Sequence, residues 1–156
     1  MKNLPLKTKI LNFPRLVFRN RLMEAVLFSL TNGKNWDQLI SRLPANYYQY
    51  PKGSMRNVTR HGLQYQLDIS DYMQWLIYFG IQAEPRDKLY ELVKPGMTIL
   101  DIGANIGETS MSFSKLTGEK GSVFSFEPDP QTFDRLVMHL ELNGCANVTP
   151  VNKGLG

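Results

Sequence analysis

Buried-type strands alternate with helices in the C-terminal part of the chain, and this alternation constrains the fold more than any other feature. Short apolar runs predict strands at 97–102, 122–126 and 148–152. The segments between them, 105–116 and 130–142, have the length and apolar spacing of helices. Strands and helices that alternate in this way form a parallel sheet with right-handed crossovers, so the sequence predicts an α/β fold.

The residues before this sheet predict a different organisation, which is mainly helical. The prolines and tyrosines of residues 44–57 are typical of an irregular connection. We therefore divide the chain into a basic helical N-terminal region with its connection (1–57), a lead-in that contains a hairpin and helices (58–96), and the sheet domain (97–156).

A short β-hairpin is expected at the start of the lead-in. Apolar and polar residues alternate over 63–69, which is the two-residue period of a strand with one buried face. His61-Gly62 stands just before this strand and is placed to turn it back onto residues 55–60.

Two helices are expected after the hairpin. The first runs through Asp71 to Phe79, with Ser70 as its N-cap and Gly80 as its stop. Its apolar residues surround most of the helix, which predicts that it is largely buried. Pro85 suits the first position of a second, shorter helix.

Positive charge is concentrated in the N-terminal part of the chain. Residues 1–60 contain 11 Lys and Arg against 2 Asp and Glu, whereas residues 61–156 contain 7 against 12. A helix is predicted over residues 15–30, because apolar residues recur there at three- and four-residue spacing, namely Leu22, Met23, Val26, Leu27 and Leu30.

This basic region has more than one interpretation. A solvated basic face is favoured, since its cations are scattered rather than consecutive. The alternatives are an acidic substrate, a peripheral contact of the basic N-terminus with an anionic membrane, and nucleic acid, which we do not expect as a partner. For the helix over 15–30, packing on its own domain is favoured over contact with lipid.

The composition excludes several classes of protein. No apolar stretch approaches the roughly 20 residues that cross a bilayer, and no signal-peptide core forms, so neither a transmembrane segment nor export is expected. Cys145 is the only cysteine, which excludes an internal disulfide. His61 and His139 are the only histidines, so we expect no metal site. A cytoplasmic protein is the natural expectation.

A tight turn follows the first strand of the sheet, and its residue types suit a ligand that approaches the backbone closely. It runs from Asp101 to Gly107 and leads directly into a helix. Gly103 and Gly107 have no Cβ to obstruct a ligand, and Asn105 tolerates a left-handed conformation. The N–H groups at the start of the helix favour a negatively charged group such as a carboxylate.

A second acid, Glu127, ends the next strand. Ligands of doubly wound folds bind at the carboxyl ends of the strands, where an acid accepts hydrogen bonds from ribose hydroxyls. Pro128 fixes the backbone after Glu127. Asp129 and Pro130 have the pattern of a helix cap and a first helical residue, so we assign Asp129 a structural role.

The turn differs from the one that binds dinucleotides. A pyrophosphate site requires Gly-x-Gly-x-x-Gly, whereas here Asp101 stands two residues before Gly103. The Asp101 carboxylate would repel a pyrophosphate but can hold an ammonium group, directly or through water. The residues therefore favour a methionine-derived cofactor, with a nicotinamide cofactor as the alternative.

These residues resemble the FkbM family of methyltransferases. The resemblance covers about residues 58–156, includes the lead-in from Arg60 to Phe79, and rests on four segments: Asp101 to Thr109, Phe126 to Pro128, Leu142-Asn143 and Val148 to Leu155. It implies a Rossmann-like class I methyltransferase fold, a parallel sheet of about seven strands with helices on both faces, of which this chain holds about three. It also implies S-adenosylmethionine as cofactor and O-methylation of a small molecule, such as a sugar or polyketide.

The resemblance also implies roles for particular residues. The methionine part of the cofactor would contact four residues of the turn, Asp101, Gly103, Asn105 and Gly107, and the ribose would contact Glu127. The neighbours that complete the predicted cofactor site are Ala104, Glu108, Thr109 and Pro128. For Glu108 and Thr109, an ordinary role at a helix start is an equal alternative. No catalytic residue is assigned, because the segments that hold the acceptor are not among these residues.

Three hypotheses for the function follow. The first is the cofactor-binding part of a methyltransferase, inactive on its own, whose partner is a small-molecule methyl acceptor. The second is a fragment of an NAD(P)-dependent oxidoreductase. The third is a non-enzymatic truncated module whose basic N-terminus binds membrane or nucleic acid.

Overall fold

The computed structural model describes residues 12–35, 37–81 and 87–155. Their contacts form two compact units, which are described separately. The first unit contains the described residues up to 60 together with 66–81, and the second contains 61–65 together with 87–155. The three-part division inferred from the sequence stays a prediction.

The first helix, α1 (Arg21–Thr31), begins later than the sequence pattern predicts. The residues before it form a separate 3-10 turn, Pro14–Phe18. Asn20 separates the two, because its side chain accepts the N–H of Met23 at 2.9 Å. Asparagine is a strong helix N-cap, so this local hydrogen bond starts a new helix instead of prolonging the turn.

Helix α1 packs on its own unit, as the sequence favours, but its apolar stripe does not pack as one face. Leu27 is buried, in line with Glu24 and Thr31. Leu22 and Val26 are exposed, and so is Leu30. The predicted stripe spans a wide arc of the helix, and only one edge of that arc lies against the rest of the first unit.

The predicted hairpin is confirmed as strands β1 (Met55–Arg60) and β2 (Leu63–Asp68). The two residues that connect them, His61 and Gly62, have φ values of 51° and 71°. Positive φ at both central residues is the requirement of a type I′ turn, whose twist matches that of the paired strands.

The next helix, α2 (Tyr72–Phe79), is largely buried as predicted, but its cap differs from the prediction. The side chain of Asp71 accepts the N–H of Gln74 at 3.1 Å. Ser70 is not the cap, because its hydroxyl donates to the carboxylate of Asp68 at 2.7 Å. Because the hydroxyl of Ser70 is bonded to Asp68 at the end of β2, the capping position is taken by Asp71.

The core of the first unit combines apolar side chains with one ion pair. Trp75 is buried, and its indole N–H donates to the carbonyl of Ala45 at 2.8 Å. Glu24 is also buried and accepts hydrogen bonds from Arg56 at 2.9 and 3.0 Å. The hydroxyl of Tyr78 donates to the same carboxylate at 2.9 Å. Two further 3-10 turns in this unit are Leu39–Arg42 and Tyr47–Gln49.

The second unit confirms the predicted parallel sheet. Its elements are α3 (Asp87–Leu92), β3 (Thr98–Ile102), α4 (Glu108–Thr117), β4 (Ser122–Phe126), α5 (Pro130–Leu142) and β5 (Val148–Val151). The strands pair in parallel in the order β3-β4-β5. Pro85, predicted as the first residue of the helix before β3, lies outside the described residues.

The two faces of this sheet have different surroundings. Asp101 and Ser125 occupy opposed positions of β3 and β4 and are buried on the face that α4 covers. Leu100 and Ile102, on the other face of β3, are exposed. The face of β3 and β4 that α4 covers therefore carries Asp101 and Ser125, polar residues of the site described below.

Asn143, just after α5, pairs with the backbone of β2. Its side-chain oxygen accepts the N–H of Gln64 at 2.7 Å, and its side-chain nitrogen donates to the carbonyl of Gln64 at 2.8 Å. Both groups belong to the second unit. One amide side chain therefore satisfies both backbone groups of a strand residue, as a neighbouring strand would.

Candidate cofactor-binding site

The turn after β3 is held against the end of β4 by backbone hydrogen bonds. The N–H groups of Gly103 and Ala104 both donate to the carbonyl of Phe126 at 2.9 Å. The N–H of Gly107 donates to the carbonyl of Ala104 at 2.9 Å and closes the turn before α4. These bonds fix the turn at the carboxyl end of the sheet, where ligands of α/β folds bind.

Three residues of this turn have positive φ. Gly103 has φ 80°, Asn105 has φ 51° and Gly107 has φ 92°. Asn105 adopts the left-handed conformation predicted for it, and its side-chain oxygen accepts the N–H of Ile106 at 2.8 Å. This hydrogen bond between side chain and backbone explains how a non-glycine residue tolerates the conformation.

The two glycines of the turn serve different purposes. A Cβ on Gly103 would meet no atom within 4 Å, so the space beside this residue is open to a ligand. A Cβ on Gly107 would lie 2.7 Å from the Cδ1 atom of Leu136 in α5. Gly107 therefore permits close packing of the turn on α5. The sequence pattern alone does not distinguish this reason for a glycine from access of a ligand.

Asp101 is buried at the end of β3 and is held by hydroxyl groups. Its Oδ2 atom accepts hydrogen bonds from Thr109 at 2.8 Å and from Ser110 at 2.6 Å. Ser125 extends this chain by donating to the hydroxyl of Ser110 at 2.8 Å. Within the part of the chain that the structure describes, Oδ1 accepts no hydrogen bond and is not sealed from solvent. One oxygen thus orients the carboxylate, and the other can accept from a ligand.

Glu127 connects the end of β4 to the turn. Its Oε2 atom accepts the N–H of Asn105 at 2.9 Å, and its Oε1 atom accepts the N–H of Asp129 at 3.0 Å. The side chain is buried, while the backbone N–H of Glu127 pairs with Val151 of β5. These two hydrogen bonds hold the Glu127 side chain in place. Each carboxylate oxygen has a further lone pair, so Glu127 can still accept hydrogen bonds from hydroxyl groups.

The structure brings most of the predicted site residues together. The turn from Asp101 to Gly107 and the carboxylate of Glu127 meet at one edge of the sheet, joined through the N–H of Asn105. Glu108 and Thr109 form the first turn of α4, whose positive dipole end points toward the loop. Pro128 is exposed beside Glu127. Their roles in cofactor binding stay predictions.

Asp129 has the structural role assigned to it. It caps α5 by accepting the N–H of Thr132 at 2.8 Å and its hydroxyl at 2.7 Å. These bonds, with the hydroxyl contributing most, hold the pKa of Asp129 below its ordinary value.

His139 has surroundings that the sequence does not predict. It is fully buried in α5, and its Nδ1 atom lies 2.8 Å from the carbonyl of Ile106 in the turn. A carbonyl only accepts, so Nδ1 carries the proton and donates. Its ring also makes an edge contact with Tyr65, with centroids 5.5 Å apart. His139 therefore holds the turn in place through its hydrogen bond to Ile106.

Sequence reasoning also missed Ser110 and Ser125, which fix the orientation of Asp101. The available signal was the position of Ser125 in a buried strand, since a polar residue there requires a partner. Among the described residues no group of three or more His, Cys, Asp or Glu side chains could hold a metal ion.

Comparison with known proteins finds that part of the chain is similar in sequence to methyltransferases. The chain is 38% identical over 60 residues to a protein-L-isoaspartate O-methyltransferase of Methanococcoides burtonii, a match that covers 38% of this chain and 30% of that protein. It is 41% identical over 51 residues to a ribosomal RNA large subunit methyltransferase E of Bdellovibrio bacteriovorus, covering 33% and 26%. No protein-family model matches the chain.

Solved structures support the same assignment of the fold. TYW2 of P. horikoshii, solved in complex with MeSAdo, has a TM-score of 0.50 and 25% identity, and the match covers 67% of this chain and 38% of that one. A transferase of Pyrococcus horikoshii, PH0793, has a TM-score of 0.51 and 19% identity, covering 96% and 64%. The chain has the fold of class I S-adenosylmethionine-dependent methyltransferases. The cofactor of this fold is S-adenosylmethionine. The chain spans less than a third of the length of either curated relative.

Proposed function

We propose that this chain is the cofactor-binding part of an S-adenosylmethionine-dependent O-methyltransferase. The observation that carries the proposal is the hydrogen bond between the N–H of Asn105 and the carboxylate of Glu127. It places two carboxylates from neighbouring parallel strands, Asp101 and Glu127, around one turn that has open space beside Gly103.

The residues of the site fit the chemical groups of the cofactor one by one. Asp101 would hold the ammonium of the methionine part, because its free oxygen and its negative charge both favour a cation. The start of α4 would hold the methionine carboxylate. Glu127 would accept hydrogen bonds from the ribose hydroxyls. When bound, S-adenosylmethionine supplies an activated methyl group, and the protein has to align an acceptor with it.

The remaining parts of the proposal concern the acceptor. The resemblance to FkbM methyltransferases favours a hydroxyl or carboxyl group of a small molecule, such as a sugar or polyketide. The curated relatives are named as a protein O-methyltransferase and a ribosomal RNA methyltransferase. We further propose that the chain alone does not methylate, because the face of β3 that carries Leu100 and Ile102 is exposed.

Calorimetric titration of the whole gene product with S-adenosylhomocysteine tests cofactor binding. Asp101→Asn and Glu127→Gln each remove a charge from the site and should weaken binding about tenfold or more, the effect of losing about 1.5–3 kcal/mol of charge-assisted hydrogen bonding. Asp134→Asn, an exposed acid on the neighbouring helix α5, is the matched control and should bind normally. Unchanged affinity in both site variants would refute the assignment. Binding of NAD(P) without binding of S-adenosylhomocysteine would refute it too.

A separate experiment tests the acceptor and whether the chain methylates alone. Methyl transfer from labelled cofactor to a small-molecule mixture, bulk RNA and bulk protein is measured with the gene product and with the 156-residue chain. We expect the gene product, but not the 156-residue chain, to transfer methyl groups to the small-molecule fraction. Transfer to RNA or protein would overturn the small-molecule proposal without affecting cofactor binding, and activity of the 156-residue chain would show that it is sufficient.

A further inference from the structure

Helix α1 presents apolar side chains on its exposed side. Leu22 is 82% exposed and Val26 is 53% exposed, and Leu30 continues the row at the same four-residue interval. Residues four apart on a helix lie on one side of it. The side of α1 that packs on the first unit is instead formed by Glu24, Leu27 and Thr31. The exposed row therefore lies on a different side of the helix from the residues that pack in the core.

The chain just before α1 adds further exposed apolar side chains. Phe13 is 75% exposed and Val17 is 70% exposed, with Leu16 also exposed between them. Single exposed apolar residues are ordinary in soluble proteins, but a concentration of them marks an interaction surface. We call this set the N-terminal apolar surface, and its members are Phe13, Leu16, Val17, Leu22, Val26 and Leu30.

The charges near this surface are positive. Arg15, Arg19 and Arg21 alternate with its apolar residues along the chain. The one acid among residues 12–35 is Glu24, which is buried and paired with Arg56. Its negative charge is neutralised inside the unit, so the arginines determine the sign of the potential on the outside.

We propose that the N-terminal apolar surface docks on the face of an anionic lipid bilayer. Aliphatic and aromatic side chains are stabilised by leaving water for the acyl boundary, and arginines are attracted to anionic headgroups. Nucleic acid fits less well, since it would use the arginines but offers little to Leu22 or Val26. A second copy of the chain fits less well too, since it would oppose arginines with arginines. No helix among the described residues is long and apolar enough to cross a membrane.

Vesicle cosedimentation with the full chain tests this proposal. Vesicles of phosphatidylcholine with about one-third phosphatidylglycerol should bind the protein at least about tenfold more tightly than pure phosphatidylcholine, and added salt should weaken the binding. Leu22→Ser with Val26→Ser should weaken it about tenfold, and so should Arg19→Gln with Arg21→Gln. Leu92→Ser changes a leucine of the second unit that is 71% exposed; it is the control and should bind normally. Circular dichroism checks that every variant is folded.

Three results would overturn the proposal. One is absence of binding to anionic vesicles by the folded protein. Another is binding of RNA that the arginine variant weakens and the Leu22/Val26 variant does not, which would assign the surface to nucleic acid. The third is a concentration-dependent dimer, seen by sedimentation and lost in the Leu22/Val26 variant, which would make the surface a contact between copies. None of these results depends on cofactor binding, so they leave the proposed function untouched.

Discussion

Both units of the molecule bury carboxylates, but they stabilise them differently. In the first unit, the carboxylate of Glu24 is paired with the guanidinium of Arg56 through two hydrogen bonds, and Tyr78 adds a third. In the second unit, Asp101 is held by two hydroxyl groups and Glu127 by two backbone N–H groups. Glu24 and Arg56 form the one ion pair found among the described residues.

This difference separates a structural carboxylate from one suited to a ligand. A buried charge with a cationic partner is neutralised inside the protein and leaves no field for another molecule. Hydroxyl and N–H dipoles fix a carboxylate but leave its net charge in place, so Asp101 can still attract an ammonium group. We therefore expect the type of partner, more than the burial, to distinguish an acid that binds a ligand from one that only stabilises the fold.

The largest expected effect tests the structural half of this comparison. Glu24→Gln should lower the free energy of unfolding by about 2–4 kcal/mol, because it breaks an ion pair whose acid is fully buried and leaves the partly buried Arg56 without its counter-charge. Urea denaturation measures the loss. Adding Arg56→Met should restore part of the stability, and S-adenosylhomocysteine affinity at low temperature should stay normal in both variants. A loss below about 1 kcal/mol would mean that the ion pair does not stabilise the first unit.

The next effect tests whether the site depends on the hydrogen bond between His139 and the turn. His139→Phe keeps a ring of similar size but leaves the carbonyl of Ile106 without its donor, at a cost of about 1–3 kcal/mol. We expect lower stability and also weaker binding of S-adenosylhomocysteine, since the turn would lose its fixed position. His61→Asn, in the exposed hairpin turn, is the control and should change neither quantity. Lower stability with unchanged affinity would limit His139 to a role in folding.

A pH effect tests the first unit alone. Burial, and then the neighbouring Glu24 carboxylate, raise the pKa of Tyr78 from 10.0 to about 12. The phenol of the unfolded chain ionises first, so the contribution of Tyr78 to stability is complete below pH 10 and is lost as pH rises toward 12. Urea denaturation at several pH values in this window should show a smaller loss in Tyr78→Phe than in the natural protein. Tyr90→Phe, in the second unit, is the control, and an equal loss in Tyr78→Phe would contradict the assignment.

The smallest effect concerns an exposed acid at the same end of the sheet as the site. Asp129→Ala removes the cap of α5 and should lower Tm by a few degrees, with little change in affinity. The pKa of Asp129 is lowered from 3.8, so its contribution is present at neutral pH and is lost as pH falls through and below that value. Asp129→Asn, which keeps a cap, should retain stability and remove the pH dependence. A large loss of affinity in Asp129→Ala would place this residue in the site.

The sequence predicts those features whose cause is local. The strands of the second unit follow from apolar runs, the His61-Gly62 turn from residue type, and the turn from Asp101 to Gly107 from its spacing. Asn105 adopts the conformation expected of it, because a single side-chain hydrogen bond to the next residue stabilises that conformation. The meeting of Asp101 and Glu127 follows from topology, since parallel strands end at one edge.

What the sequence does not predict depends on contacts between distant residues. The partner of His139 is the carbonyl of Ile106, 33 positions away, and helical spacing carries no sign of it. Ser70 and Asp71 are both good caps, and the choice between them is made by Asp68. The apolar residues of α1 indicate a helix, but the side that packs is fixed by Glu24 and its distant partner Arg56.

The amide of Asn143 has a consequence for assembly. An unpaired strand is a template on which another polypeptide can add, and proteins commonly blunt such edges with charges, bulges or prolines. Here a single side chain occupies both backbone groups of Gln64, near the start of β2. The hairpin is thereby made a poor seed for aggregation without any addition to the sheet.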